Sequence, residues 1–344
     1  MPDILILGAF GFADGYYAFG KNLEKYFDSV SFFPLFMYQT TDFSQNYLDK
    51  CLTDCLNGTM NYESKIGRLI NANVKKTHVI FYHNIHYIEC NKEKNFYKNI
   101  IAKENRDFKL ILVNWDPNIN ETIVNNFFKT EYNKFDLIYM SHLVKIDKNI
   151  KSLYAGFLKE ISYYKNDDNY KCDVCFVGTN LYTHEMWENK TLNRKIVLDE
   201  ILKNKDISLH IYGTESIKSS YPGHYKGYIK YDDCYKAFSN ATFSLNISPL
   251  NNILINGHYY YSERLPQILA CNGIMISNND YGTFLVPNVD YIYINDITKL
   301  NDTIIYYKNN PELIAKMREN YKTKIHQLDY ENIIKSVSND ILSL

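Results

Sequence analysis

The sequence predicts an α/β protein made of two units, each a parallel sheet with helices on both faces. Three observations carry this. Short, near-continuous apolar runs recur along the chain, as expected of strands buried on both faces. They alternate with longer segments of helical periodicity. The alternation is interrupted once, by the polar and charged stretch Lys159–Lys171, and then restarts.

In the first half, Ile4–Leu7 is a strand closing at Gly8, and Tyr16–Phe27 is the helix after it. Val79–Tyr82, Leu110–Asn114 and Leu137–Met140 are further strands, with helix Ile119–Phe128 before the last of them. Residues 42–72 read as helical but are poorly patterned. In the second half, strand Val174–Val177 ends at Gly178 and is followed by helix Leu192–Lys203. Strand Leu209–Tyr212 ends at Gly213, and helix Asp232–Ser239 precedes strand Thr242–Ile247. A short helix then leads into strand Ile274–Ser277, and strand Tyr291–Ile294 follows. Helices Ile297–Asn309 and Pro311–Gln327 come next, the second with proline at its favoured first position.

The expected organisation is a domain over 1–158, a linker over 159–171 and a second domain over 172–329. A last helix over 330–344 has no evident partner in its own domain, which leaves the first domain to pack on. Two Rossmann-like units in tandem are expected to leave an inter-domain cleft, with ligands at the carboxyl ends of the strands.

The bulk numbers narrow the function. A length of 344 residues suits two domains, and 46% hydrophobic with 22% charged residues is a globular composition. The formal charge of −1 argues against a nucleic-acid partner, which usually meets a basic excess. The 32 tyrosines accompany abundant Asn, Lys and Ile, the bias of an AT-rich genome, so they are not by themselves carbohydrate-stacking residues. No apolar run approaches the ~20 residues that span a bilayer. Asp3 precedes the first apolar stretch and no basic segment does, so that stretch is a strand and not a signal peptide. Seven cysteines form no disulfide framework, and the lone pair Cys172 and Cys175 has no second pair to complete a zinc site. A reducing, cytoplasmic setting follows.

The segment Tyr261–Ser277 is the most informative. It reads as a helix running into a glycine turn and a buried strand, with Ser262, Glu263, Arg264 and Gln267 at the helix start. Unpaired N–H groups at a helix start suit phosphates, and an arginine can add bidentate contacts. Three further pieces occur in order around it. Cys175-Phe176-Val177-Gly178-Thr179 is followed by Asn193-Arg194 opening a helix. His210-Ile211-Tyr212-Gly213 is followed by Lys226-Gly227-Tyr228. Arg264-x-x-Gln267-x-x-Ala270-Cys271-x-Gly273 leads to Tyr307-x-x-Asn310-Pro311-Glu312 and Met317-Arg318.

Together these pieces resemble the nucleotide-sugar-binding domain of GT-B glycosyltransferases. Within them the likeness is to the group 1 branch that includes spore-maturation-type proteins, over about residues 172–330. The resemblance implies a GT-B fold and a UDP- or GDP-sugar as donor substrate. No metal or other cofactor is implied, since Arg/Lys side chains and helix starts serve the departing diphosphate. It places Arg264 on the diphosphate and Gln267 on the ribose. The family usually has glutamate at position 267, glycine at 272, and in retaining enzymes an earlier glutamate near Tyr259; all three differ here.

Other candidates have two readings each. Ser262 and Glu263 touch the sugar or ribose, or cap the helix. Gly178 and Thr179 leave room for the diphosphate, or form an ordinary strand-ending turn. Arg194 contacts phosphate, or is a solvated first-turn arginine. Gly213, Gly227 and Tyr228 flank loops that would wall the base pocket. In the first half, Gly11 and Asp14 belong to a glycine-rich turn after the first strand, where Asp14 is a candidate base. His83 and Asp116 stand at strand ends and could deprotonate the acceptor, or be a structural histidine and a helix cap. The expectation is a metal-independent transfer of sugar from a nucleotide diphosphate to a glycan or other hydroxyl acceptor. The alternatives are a non-catalytic sugar-nucleotide-binding or surface-assembly protein and a nucleotide-sugar epimerase on the same fold.

Overall fold

The computed structural model describes residues 3–10, 19–20, 22–37, 77–82, 85, 88–89, 108–114, 121–140, 148–153, 156–157, 159, 166–178, 181, 192–230, 233–248, 254–255, 258–259, 262–282 and 284–344. The chain divides into two compact units, Met1–Tyr154 with Ile333–Leu344, and Ala155–Asn332. Each contains a six-stranded parallel sheet, the two-domain arrangement of tandem Rossmann-like units that defines the GT-B fold.

In the first unit the strands are β1 (Asp3–Phe10), β2 (Val30–Met37), β3 (Thr77–Tyr82), β4 (Leu110–Asn114), β5 (Leu137–Met140) and β6 (Ile150–Ser152). Their order is β2-β1-β3-β4-β5-β6. The register aligns Leu5 with Val79 and Leu7 with Phe81, then Val79 with Leu110 and Phe81 with Leu112. These residues share one face and form a single core with Ile138, Met140 and Ile150, closed by Phe127 of helix α1 (Glu121–Thr130). Strand β2 was not expected, because Pro34 interrupts its apolar run. The sheet accommodates that proline on its edge strand, opposite Gly8, where the register shifts. The expected helix at Tyr16–Phe27 is helical at 19–20 and 22–23 and passes into a turn from Glu24. The helical reading of 42–72 lies outside the described residues.

The second unit holds β7 (Cys172–Val177), β8 (Leu209–Tyr212), β9 (Tyr225–Gly227), β10 (Ala241–Asn246), β13 (Ile274–Ser277) and β14 (Ile292–Tyr293) in the order β14-β13-β10-β7-β8-β9. A separate hairpin pairs β11 (Leu254–Ile255) with β12 (His258–Tyr259). The chain starts at β7, moves to β8 and β9 on one side, and then crosses to β10, β13 and β14 on the other. Right-handed crossovers made in opposite directions put the intervening helices on opposite faces. Thus α2 (Arg194–Ile201) packs with α6 (Leu300–Lys308), and the short α3 (Glu215–Lys218) packs on β9. Helix α4 (Cys234–Asn240) packs on β7, and α5 (Arg264–Ala270) packs with α4, β10, β13 and α7 (Pro311–Ile325). The strand order reverses between β7 and β10, and that reversal is where sheets of this kind bind ligands.

Helix α8 (Tyr330–Leu342) buries Ile334, Val337 and Ile341, one stripe at helical spacing. Its Asp340 meets the first unit's sheet. Tyr139 Oη donates to Asp340 Oδ2 at 2.8 Å and Lys151 Nζ donates to Asp340 Oδ1 at 2.5 Å. Among the described residues no helix is long and apolar enough to cross a membrane. Cys172, Cys175, Cys234 and Cys271 are free thiols, and burial pushes Cys175 and Cys271 up to about 12.

Candidate functional site

The carboxyl ends of β7, β10 and β13 converge on a cluster of buried polar side chains. Helix α2 begins there. Asn193 caps it by accepting from the Ile196 N–H at 2.9 Å, which sets Arg194 as its first residue. Arg194 is only 3% exposed, its Nε donates to the Ile247 carbonyl at 3.1 Å, and its guanidinium lies 5.6 Å from the Phe176 ring centroid. It therefore joins the end of β7 to the end of β10 across the reversal point, and the reading of a solvated arginine is corrected.

Gly213 is required by close approach of two strand ends, whereas a side chain at Gly178 would press on the ring tip of Phe176 in its own strand. A Cβ on Gly213 would stand 2.1 Å from the Gly178 carbonyl oxygen, and one on Gly178 would stand 2.7 Å from Phe176. The close backbone approach accounts for Gly213 without a ligand. Tyr228 is 57% exposed beyond β9, at the sheet's edge, with β7 and β8 between it and β10.

The segment Ser262-Glu263-Arg264 enters from the β10 side. Ser262 Oγ donates to Asn246 Oδ1 at 2.8 Å and does not cap α5. Glu263 occupies the N-cap position with helical backbone angles and no side-chain cap bond, so the capping reading fails for both residues. Asn246 Nδ2 donates to Tyr281 Oη at 3.0 Å, and Tyr281 Oη is 2.8 Å from Ser277 Oγ. Burial raises the Tyr281 phenol, while Ser277 and the positive charge of Arg264 oppose that rise. Gln267 lies on the buried side of α5, 9% exposed.

Asn272 stands at a position whose backbone accepts glycine or asparagine. It has φ 60°, and its N–H donates to the Leu269 carbonyl at 3.0 Å while the Gly273 N–H donates to Ile268 at 2.9 Å. This pair of bonds closes the helix in a Schellman turn, whose left-handed residue is glycine or, next best, asparagine.

Next to β10, Ser248 and Asn278 clasp each other. The Ser248 N–H donates to Asn278 Oδ1 at 2.9 Å, and Asn278 Nδ2 donates to the Ser248 carbonyl at 3.0 Å. Asn246, Ser248, Ser277, Asn278, Asn279 and Tyr281 were not anticipated. Their signal was present as polar residues at the carboxyl ends of otherwise apolar strands, Leu245-Asn246-Ile247-Ser248 and Ile276-Ser277-Asn278-Asn279. Thr179, and in the first half Gly11, Asp14, His83 and Asp116, lie outside the described residues. In the first unit, buried Asn114 at the end of β4 accepts from the Ile85 N–H at 3.0 Å. Among the described residues no group of three or more His, Cys, Asp or Glu is placed to hold a metal ion.

The fold and this site define a GT-B protein with a polar cluster at the strand-order reversal of its second unit. Residues 194–337 match the family described as glycosyl transferase-like. The match is to this broad family, covers less than half of the chain, and does not single out the spore-maturation-type branch. No curated protein matches the chain. Among solved structures, an alpha-glucosyltransferase in complex with UDP-glucose and DNA containing an abasic site is similar over 100% of both chains, with 12% identity and a TM-score of 0.65. A glycosyltransferase from Rickettsia africae is similar over 99% of both chains, with 10% identity and a TM-score of 0.61. The N-terminal domain of a Candida albicans trehalose-6-phosphate phosphatase aligns with 100% of this chain and 97% of its own, with 11% identity and a TM-score of 0.58.

One expectation is overturned here. The charge of −1 was read as excluding nucleic acid, yet several similar structures are glucosyltransferases solved with DNA. A net charge sums the whole surface and says nothing of one basic face within it.

Proposed function

We propose that the chain is a glycosyltransferase taking a sugar from a nucleotide diphosphate, UDP or GDP, bound at the carboxyl ends of β7, β10 and β13. One observation carries this reading: buried Arg194 and the Ser262–Asn246–Tyr281 network, with Arg264 two residues after Ser262 in the chain, stand at the strand ends that flank the reversal of strand order. In the transfer, the bond from the sugar's anomeric carbon to the phosphate oxygen breaks and its electron pair leaves with the nucleotide. The acceptor oxygen bonds that carbon and its proton passes to a base. Arg264, with Arg194 beside the Gly178 turn, takes up the charge that develops on the diphosphate. Gln267 accepts from the ribose. Asp14, His83 and Asp116 are the candidates for the base, and the transfer needs no divalent metal.

The acceptor is a hydroxyl. A hydroxyl on nucleic acid joins glycans as a candidate, favoured by the likeness to glucosyltransferases solved on DNA. The experiment is nucleotide release from UDP- and GDP-sugars with and without acceptors, including a DNA duplex bearing hydroxymethylated bases. Release that rises only with acceptor supports transfer. Binding without release favours the non-catalytic sugar-nucleotide-binding protein, and sugar interconversion without acceptor favours the epimerase. Activity abolished by EDTA would refute the metal-free step.

A further inference from the structure

Strand β13 ends at Ser277, and the next two asparagines are used differently. Asn278 is saturated, since besides its clasp with Ser248 its Nδ2 reaches the Leu192 carbonyl at 3.4 Å. Asn279 has its backbone held on both sides. Its N–H donates to Ser277 Oγ at 3.2 Å, and its carbonyl accepts from Tyr291 Oη at 2.8 Å. The residue is 4% exposed, and its side-chain oxygen is buried with no hydrogen-bond partner among the described residues.

A buried amide oxygen that accepts nothing costs about 1–3 kcal/mol, and folded proteins seldom keep one without a use. Asp290, Asn301, Tyr330 and Ser338 also carry buried atoms of this kind, on other segments, so the unmet atom alone does not single out Asn279. Asn279 stands two residues past the end of β13, in the segment whose neighbours Ser277 and Asn278 build the polar cluster. Position as well as the unsatisfied atom therefore sets it apart.

We propose that Asn279 is a specificity-determining residue whose Oδ1 accepts a hydrogen bond from the bound nucleotide sugar. This rests on the donor-site reading above. An acceptor oxygen cannot pair with the phosphate oxygens of the ligand, which are acceptors themselves. The partner is then a donating group of the nucleotide sugar: a hydroxyl of the transferred sugar, or a ribose hydroxyl or base N–H of the nucleotide. Sites built to meet a substrate OH or NH discriminate strongly, because an analogue that lacks the group leaves the buried acceptor unmet.

The test is calorimetric titration of the wild type, Asn279→Ala and Asn279→Asp with UDP, GDP, UDP-glucose and GDP-mannose, together with the melting temperature of each protein without ligand. Asn279→Ala is expected to weaken binding about tenfold, the usual worth of one such bond. Its ligand-free melting temperature should be unchanged or raised, because an unmet buried group has been removed. A loss confined to the sugar nucleotides assigns the bond to the transferred sugar, and an equal loss with UDP or GDP assigns it to the nucleotide. Asn279→Asp keeps an acceptor and is expected to bind more tightly than Asn279→Ala. Unchanged affinity in Asn279→Ala for every ligand the wild type binds overturns the inference. So does a loss of affinity that merely follows a fall in melting temperature, or Asn279→Asp binding no better than Asn279→Ala. A folded wild type that binds none of the four overturns the donor-site reading and this inference with it.

Discussion

Arg194 Nε donates to the Ile247 carbonyl oxygen at 3.1 Å, so the first residue of α2 holds the end of β10. With the guanidinium 5.6 Å from the Phe176 ring centroid of β7, Arg194 touches both strands between which the sheet order reverses. A guanidinium in that position serves both as a clip and as a local positive charge. Arg194→Met should lower the unfolding free energy by about 1.5–3 kcal/mol, the range for a hydrogen bond to a charged group, and weaken UDP and GDP binding at least tenfold. Arg194→Lys should recover part of the binding and little of the stability, since an ammonium cannot reproduce the planar fork. Urea unfolding alongside nucleotide titration separates the two effects. A stability loss with unchanged nucleotide affinity would reduce Arg194 to a clip.

Asn272 provides a stability test independent of any ligand. At φ 60° it holds the residue of the α5 turn that must be left-handed. Asn272→Gly should be neutral or slightly stabilising, whereas Asn272→Val should cost at least ~1–2 kcal/mol from the left-handed backbone alone. Chemical denaturation of the two variants checks this, and equal midpoints would contradict it.

The C-terminal helix is fastened to the first unit's sheet through Asp340. Burial, and next the hydrogen bond to Asp340, raise the Tyr139 phenol far above its ordinary range, so it stays a donor at all accessible pH. Asp340→Ala leaves that buried hydroxyl without its acceptor, and a loss of about 1–3 kcal/mol is expected. Tyr139→Phe removes the donor instead and should cost less. Amide exchange over residues 333–344 should accelerate more in Asp340→Ala than in Tyr139→Phe; the reverse order would contradict the arrangement.

Asp173 predicts an acid-sensitive tie between β7 and α6. Burial by itself would raise this carboxyl. Lys308 Nζ at 2.9 Å and the Ser208 N–H and hydroxyl at 2.8 and 2.9 Å outweigh burial and hold it below its usual value. A depressed carboxyl contributes stability that is complete above its unfolded-state pKa of about 3.9. That stability is lost as pH falls from there through the lower folded-state value. Asp173→Asn should therefore be less stable than wild type at pH 7, with the difference shrinking toward pH 3. Denaturant midpoints across that interval test it, and a pH-independent difference would contradict it.

Much of the architecture could be read in the residues, and the exceptions have identifiable causes. Apolar runs such as Leu110–Asn114 and Ile274–Ser277 announce buried parallel strands because both their faces are covered. Strand β2 was hidden by Pro34, which an edge strand tolerates, and β9 by its three-residue length. The motif around Arg264 was visible, because its residues are consecutive on one short segment. The network beneath it was not, since Asn246, Ser262, Ser277 and Tyr281 meet only when two strand ends come side by side. Asn272 departs from the motif's glycine, and its left-handed backbone is what restricts that position to the two residue types. The inference from net charge is countered by the likeness to glucosyltransferases solved with DNA, since a net charge describes no single face of a protein.

The most direct test of the central claim is calorimetric binding of UDP- and GDP-sugars to the wild type and Arg264→Ala at matched melting temperature. The account expects at least one donor to bind the wild type, in the presence of EDTA, and Arg264→Ala to lose affinity for it at least tenfold. Wild-type and Arg264→Ala proteins that bind equally well, or a folded wild type that binds neither donor, would contradict it.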